Sequence, residues 1–238
     1  MRAKATQTIE YIGENTLALQ DHKAGDNLLL RKHTYDMATL YSTRKRTMSK
    51  QAKTLSAQEL RRVLDYIATR KHAARNRALL MTTFLSGMRV GEVSSLRISD
   101  VVDADGRVRD EIRLTPAMTK GSYARVVFIN ERLRKELQQY VTQLKLTDPN
   151  TKLFYSQKAA SDGFNANTLT QHFHFLYKRA GVDGASSHSG RRTFITNLAS
   201  KGVGVRVLMN LAGHRAISST QVYIDINDTM LRNAVELV

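Results

Sequence analysis

The chain has no cysteine. Disulfides, cysteine-ligated zinc and thiol nucleophiles are thereby excluded. It lacks any apolar run near the roughly twenty residues a helical membrane span needs. Its first residues, Met1-Arg2-Ala3-Lys4, lead into no apolar stretch of the secretory kind. A cytoplasmic protein with no membrane partner is the expectation. No G-x-x-x-x-G-K phosphate loop occurs, and no carboxylate cluster suggests magnesium. Acids are scarce: 21 Asp and Glu face 37 Lys and Arg, a formal net charge of +16 over 238 residues. So lopsided a charge points to a polyanionic partner: DNA, RNA or an acidic membrane surface.

What is present reads as a mostly helical domain with one small antiparallel sheet, an α+β class. Residues 1–53 are polar and basic, with a helix expected over 6–19 and a short one over 28–41. Arg44-Lys45-Arg46 and the lysines at 50 and 53 form a basic run, either a solvated linker or a DNA-contacting arm. Ordered structure announces itself at Leu55. Ser56-Ala57-Gln58-Glu59 has the form of a capping box, and Leu60, Val63, Leu64 and Ile67 share one helical face. Further helices are expected over 74–86, ending at Gly87, and over 90–95. Short strands are expected at 101–102, 111–115 and 124–129, the last two flanking a turn at Thr119-Lys120-Gly121-Ser122. Asn130 should cap another helix, with helices following from Asn167 to near Gly181 and over 193–200, 205–211, 218–223 and 229–238. These spans divide the chain into a basic N-terminal segment or reduced lobe (1–53), a main domain (54–226) and a tail helix (227–238).

Four short segments stand out from this frame. They are Ser86-Gly87-Met88-Arg89-Val90-Gly91-Glu92, the turn lysine Lys120, His188-Ser189-Gly190-Arg191, and Leu211-Ala212-Gly213-His214, the last followed nine residues later by Tyr223. Each fragment alone is weak: a turn lysine is usually solvated, and a lone His or Tyr is usually structural. In this order they resemble the tyrosine recombinase (phage-integrase-type) family. That family's signature is Arg–Lys–His–Arg–His–Tyr, and the match includes the H-x-x-R spacing, the L-x-G-H box and the step to the tyrosine. It runs from about Leu55 to Tyr223.

The resemblance implies a role for each residue. Tyr223 would be the nucleophile that forms a 3′-phosphotyrosine. Arg89 and Arg191 would clamp the scissile phosphate. His188 and His214 would assist proton transfer and hydrogen-bond the phosphate. Lys120 would protonate the leaving 5′ oxygen, and Glu92 would orient the site from one helical turn behind Arg89. General chemistry supports this set. In-line attack on a phosphodiester builds charge on the non-bridging oxygens, and fixed, planar, permanently charged guanidinium groups stabilise it. A phenol ionises near 10, so it needs a base, and the leaving alkoxide needs an acid. The covalent link conserves the energy of the broken bond, so no ATP, cofactor or metal is expected.

The implied partner is double-stranded DNA at specific sites. The chain would bind it as a homo-oligomer, two protomers per site and four in the synapse, aided by accessory DNA-bending proteins. Two departures from the family stand out. Only residues 1–53 precede the catalytic part, where the family carries roughly eighty or more, so the lobe is either reduced or shortened. Gly190 sits where the family has Leu or Met, which reads as a packing variation. In the tail, Leu231, Ala234, Val235 and Val238 form an apolar stripe that should be buried, on its own domain or on a neighbouring protomer. Competing readings are a type IB-like topoisomerase, a DNA-binding regulator without chemistry and, for lack of aromatic platforms least of all, an RNA-binding module. His172 and His174 lie two apart on different helix faces, so metal binding is not expected. Arg75 and Arg77 are read as contacting DNA backbone or solvent.

Overall fold

The structure is a computed structural model that describes residues 6–11, 16–22, 35–36, 52–144, 148–156, 162–224 and 228–236. The chain divides into two units, Met1–Gln51 and Ala52–Val238. In the first, β1 (Thr6–Tyr11) and β2 (Thr16–His22) pair antiparallel from Thr6↔His22 to Tyr11↔Leu17, and β3 (Tyr35–Asp36) adds at Leu17↔Tyr35. The helix expected over 6–19 is therefore corrected to a hairpin. Thr6, Thr8, Ile9, Tyr11 and Thr16 are β-branched or aromatic, and they suit a pleated strand better than a helix. The helix expected over 28–41 lies mostly outside the described residues, apart from its Tyr35–Asp36 pair, which is β3.

The second unit is helical around one core. Helix α1 (Ala57–Ala68) begins with the expected capping box: Ser56 Oγ accepts from Glu59 N, and the Glu59 carboxylate accepts from Ser56 N. Its buried face is Leu60, Val63 and Ile67. Helix α2 (Ala73–Ser86) is buried on nearly every side, with Leu79, Leu80 and Met81 fully enclosed. A helix enclosed all round must be central, and α2 packs against α1, α5 and α7. Two short helices follow, α3 (Val90–Ser95) and α4 (Ile98–Val101).

The strand expected at 101–102 is thus the end of α4. Asp100 accepts a hydrogen bond from Arg97 N at 2.8 Å and closes a helical turn, and only Val102 makes a bridge, to Val108. Strands β4 (Glu111–Leu114) and β5 (Arg125–Phe128) form the expected antiparallel pair, with Ile112 opposite Val127 and Leu114 opposite Arg125. Directly opposed residues share a face, so Arg125 stands on the inner face with buried Ile112, Leu114 and Val127.

Helix α5 (Glu131–Gln143) is capped by Asn130, and α6 (Ala166–Arg179) by Asn165 rather than Asn167. The packed face of α6 is Leu169, Phe173, Leu176 and Tyr177. Then come α7 (Ser189–Ser200), α8 (Val205–Ala212), α9 (Ser218–Gln221) and α10 (Asp228–Val235). Neither Arg75 nor Arg77 is a free surface cation. Arg75 is buried, donates to Asn76 Oδ1 and to the Tyr155 carbonyl, and lies between the rings of Tyr155 and Phe164. Arg77 forks onto Glu136 through two 2.6 Å bonds.

Two glycines set the geometry near the helix ends that carry the signature motifs. Gly87 ends α2 at φ 65°, and a Cβ there would sit 2.4 Å from the Phe194 ring. Gly190 lets α7 close on α2, since a Cβ there would meet Thr83 Oγ1 at 2.4 Å. That close approach explains why this position takes no larger side chain. Gly190→Ala should therefore destabilise the domain by about 1–3 kcal/mol through overpacking. Denaturant unfolding would show it, and adding Thr83→Ala should recover part of the loss.

Candidate active site

The motifs occupy helix ends that face one another. Arg89 is the N-cap residue of α3, placed there by the Gly87 turn. Arg191 lies in the first turn of α7, where the helix begins at Ser189 instead of the expected Thr193. His214 follows α8, which closes at Gly213 with φ 61°. Tyr223 follows α9, and its N–H donates to the Thr220 carbonyl at 3.0 Å.

The last carbonyls of α8 hold these parts together. The Leu211 oxygen accepts from Arg125 Nη1 at 3.0 Å, the Ala212 oxygen from Arg191 Nη2 at 2.7 Å, and the Gly213 oxygen from Arg89 Nη2 at 3.0 Å. Carbonyls at a helix C-terminus lack intrahelical donors and carry partial negative charge, so cations suit them. Arg191 also donates to the Gly87 carbonyl at 2.6 Å, tying α2 to α8. It is 3% exposed. Burial first, then repulsion from Arg89, lowers its pKa to about 10, which leaves it charged at neutral pH.

Glu92 is the counter-charge. Its carboxylate is 1% exposed and accepts from Arg125 Nη2 at 2.7 Å, from Arg89 N at 2.8 Å and from Arg89 Nη1 at 3.0 Å. Burial alone would raise its pKa. The bonds and charges of Arg125 and then Arg89 outweigh that and hold it below the ordinary carboxylate value. It therefore remains an anion that fixes two guanidinium groups.

His214 is held at both nitrogens. Arg191 Nη2 lies 2.7 Å from Nε2, and Thr220 Oγ1 lies 2.9 Å from Nδ1. A guanidinium can only donate, so Nε2 is the acceptor and the proton sits on Nδ1, facing the buried Thr220 hydroxyl. Burial first, and then Arg191, Arg89 and Arg125, lower the His214 pKa to about 4. The ring stacks on Tyr223, centroids 5.7 Å apart at 21°. Arg192 adds its guanidinium 5.2 Å from the Tyr223 centroid.

His188 is the N-cap residue of α7 without a side-chain capping bond. Partial loss of solvent, then the charges of Arg191, Arg89 and Lys120, lower its pKa. Lys120 is exposed on the β4–β5 hairpin. It borders a cleft of about 400 Å³ together with Arg89, Tyr123, Arg125, His214 and Arg215. A larger cavity, about 580 Å³, lies at the other end of α2 between Tyr66 and Arg179 and includes none of the six signature residues.

The structure thus gathers Arg89, Glu92, Arg191, His214 and Tyr223 into one connected cluster, with His188 and Lys120 at its edge. Sequence reasoning missed Arg125 and Thr220. Arg125 had a signal: strand alternation places it on the same face as Val127, and a cation facing inward needs a partner. Thr220 had none, because a lone threonine before a tyrosine is unremarkable. Neither His172 nor His174 joins the cluster; His172 is half-buried beside Asn76 on α6.

Mainly helical, with this two-stranded sheet and this cluster, the second unit has the fold of a tyrosine recombinase catalytic domain. The sequence pattern of the Phage integrase family matches residues 53–230, and the chain belongs to that family. It is 26% identical to the tyrosine recombinase XerD of Rickettsia bellii over 248 aligned positions, covering 95% of this chain and 80% of that one. The crystal structure of the XerA recombinase superposes with a TM-score of 0.62 at 27% identity, over 78% of this chain and 64% of that one. The fold is shared with the XerH recombinase in a post-cleavage complex with its palindromic difH substrate: TM-score 0.57, 22% identity, 76% of this chain and 51% of that one. The chain therefore spans less than two thirds of both solved recombinases. Among the described residues, no helix is long and apolar enough to cross a membrane.

The burial of His214 beside three arginines makes a pH prediction. Its folded pKa, about 4, lies below the ordinary histidine value of 6.5. Between those values the unfolded chain binds a proton that the folded chain refuses, so stability should fall as pH drops from 6.5 towards 4. The imidazole resonances of His214 should accordingly titrate near pH 4. A midpoint near 6.5 would remove the neutral-ring assignment.

Proposed function

We propose that this chain is a site-specific DNA recombinase that cuts and rejoins strands through a 3′-phosphotyrosine on Tyr223. The observation that supports this most is the connected contact from Arg89 and Arg191 through His214 to the Tyr223 ring. In this reading the phosphate sits in the cleft beside Arg89. Arg89 and Arg191 stabilise the charge that grows on its non-bridging oxygens. The phenol oxygen of Tyr223 attacks phosphorus, the P–O5′ bond breaks, and the phenolic proton passes to a base.

His188 suits that base better than His214. The His214 Nε2 lone pair already faces Arg191, whereas the His188 side chain makes no capping bond, and burial first, then the charges of Arg191, Arg89 and Lys120, lower its pKa. His214 then orients Arg191 and the tyrosine ring. Lys120 donates the proton that the leaving 5′ oxygen requires. Return attack by the 5′ hydroxyl of a partner strand restores the phosphodiester and frees Tyr223.

The substrate in this reading is duplex DNA carrying specific recombination sites, consistent with the +16 charge and with relatives such as XerH, which is solved on its difH site. Residues 1–53 act as a basic DNA-contacting segment. The chain works as an oligomer, two protomers on each site and four in the synapse, with accessory bending proteins. On α10, Leu231 is 56% and Val235 72% exposed, so the described part of the stripe expected to be buried is open on the single chain. That exposure favours its docking on a neighbouring protomer.

A nicked suicide substrate built on the chain's footprinted site tests the chemistry. A covalent protein–DNA band should appear on a denaturing gel, and Tyr223→Phe should abolish it. Arg191→Lys, which keeps charge but loses the fork, should slow its formation about 10²–10³-fold while DNA binding changes little. A band that persists in Tyr223→Phe would end the proposal. Removing residues 228–238 should lower the mass of the DNA-bound assembly; an unchanged mass would place α10 on its own domain.

A further inference from the structure

The hairpin that carries Lys120 has a second attachment, separate from the arginine cluster. Its tip, residues 119–123, is closed chiefly through one hydroxyl: Thr119 Oγ1 donates to the Tyr123 carbonyl at 2.7 Å and accepts from Tyr123 N at 3.1 Å, while Ser122 N donates to the Thr119 carbonyl at 3.3 Å. Gly121 (φ 105°) and Ser122 (φ 56°) supply the left-handed turn between them. Lys120 lies inside this closed loop, so it moves with Tyr123. The Lys120 side chain makes no hydrogen bond or ion pair among the described residues. Nothing in its own contacts therefore sets where its ammonium group points.

Tyr123 is 59% exposed, yet its ring is not unpartnered. The Arg215 guanidinium lies over it, with Cζ only 3.9 Å from the ring centroid. A Cβ built on Gly121 would lie 3.9 Å from Arg215 Nη1, so the same guanidinium rests against the loop's turn. Arg215 directly follows His214, whose ring is fixed by Arg191 and Thr220. Both partners border the cleft that contains Arg89 and Lys120. A cation on an aromatic face is worth about 0.5–2 kcal/mol, sufficient to bias a short loop but weak enough to be reversible.

We propose that Arg215 and Tyr123 form a clasp that positions Lys120 over the scissile phosphate, so both are positioning residues for the leaving-group step. The proposal rests on the strand-cleavage reading above and specifies which contact sets its acid. The clasp ties the loop bearing the proton donor to the segment bearing His214. Opening it leaves Arg89, Arg191 and Tyr223 in place, but lets Lys120 swing away from the departing 5′ oxygen. The defect should then fall on proton donation and not on phosphate binding or nucleophilic attack.

The test compares two suicide duplexes on the footprinted site, one with the natural oxygen at the scissile 5′ position and one with a bridging sulfur there. Cleavage of the sulfur substrate breaks a P–S bond and releases a thiolate, which needs no proton donor. With saturating DNA, Tyr123→Ala and Arg215→Ala should slow covalent-complex formation on the oxygen substrate about tenfold to a hundredfold, the range for a misplaced group. On the sulfur substrate both should return to within about threefold of the unaltered chain. Tyr123→Phe, which keeps the ring, should retain the oxygen rate within about twofold, and the double variant should be no slower than the slower single one. Equal losses on both substrates, weakened DNA binding as the sole defect, or unchanged rates would each overturn the clasp while leaving strand cleavage standing. Failure of the unaltered chain to form a Tyr223 adduct on either substrate would overturn strand cleavage itself and the clasp with it.

Discussion

Three arginines donate to three successive carbonyls at the end of α8: Arg125 to Leu211, Arg191 to Ala212 and Arg89 to Gly213. These carbonyls have no further turn of helix to satisfy them, and they carry the negative end of the α8 dipole. Each bond involves a charged donor, a kind worth roughly 1.5–3 kcal/mol apiece. The L-x-G-H box is therefore more than a sequence marker. Its first three residues offer main-chain oxygens and its fourth offers the ring on which Tyr223 rests.

Gathering so many cations in a half-buried place requires compensation. Water supplies little around Arg191, which is almost wholly enclosed. Helix-end carbonyls offset part of the cost, and Glu92 offsets much of the remainder by binding Arg89 and Arg125 together. The balance remains positive, three guanidinium groups against one carboxylate, and their charges add to burial, the larger cause, in lowering the pKa values of His188, His214 and Arg191. A surplus of positive potential with donors already oriented is what a phosphodiester's transition state requires. In the proposed reading the folded chain holds that arrangement before a substrate arrives.

Much of this was legible from spacing. Arg89 and Glu92 lie one helical turn apart, and Ser56 with Glu59 spelled out a cap that formed as expected. The hairpin around Lys120 was signalled by its turn residues and its flanking apolar strands. The misreadings have separate causes. At 6–19 the stretch lacks a clear period, and its β-branched residues prevail over the expected helix. At 101–102 a strand-like pair of valines was overruled by Asp100 closing a local turn. Arg75 looked like a surface cation because sequence carries no signal for a guanidinium enclosed by two aromatic rings distant in the chain.

The sequence alone determined the family, the order and identity of the six signature residues, the helical character of the main domain and the cationic balance that suits DNA. Those are matters of residue type and short-range spacing, which the linear chain displays directly. Only the tertiary structure decided that Arg125 joins Glu92, that His214 carries its proton on Nδ1, that Gly190 is required by Thr83 and that Arg215 reaches Tyr123. Arg125 lies 33 positions from Glu92, Thr83 lies 107 from Gly190 and Tyr123 lies 92 from Arg215. Contacts across such separations depend on how helix ends and the sheet converge in space, and no local periodicity encodes that convergence.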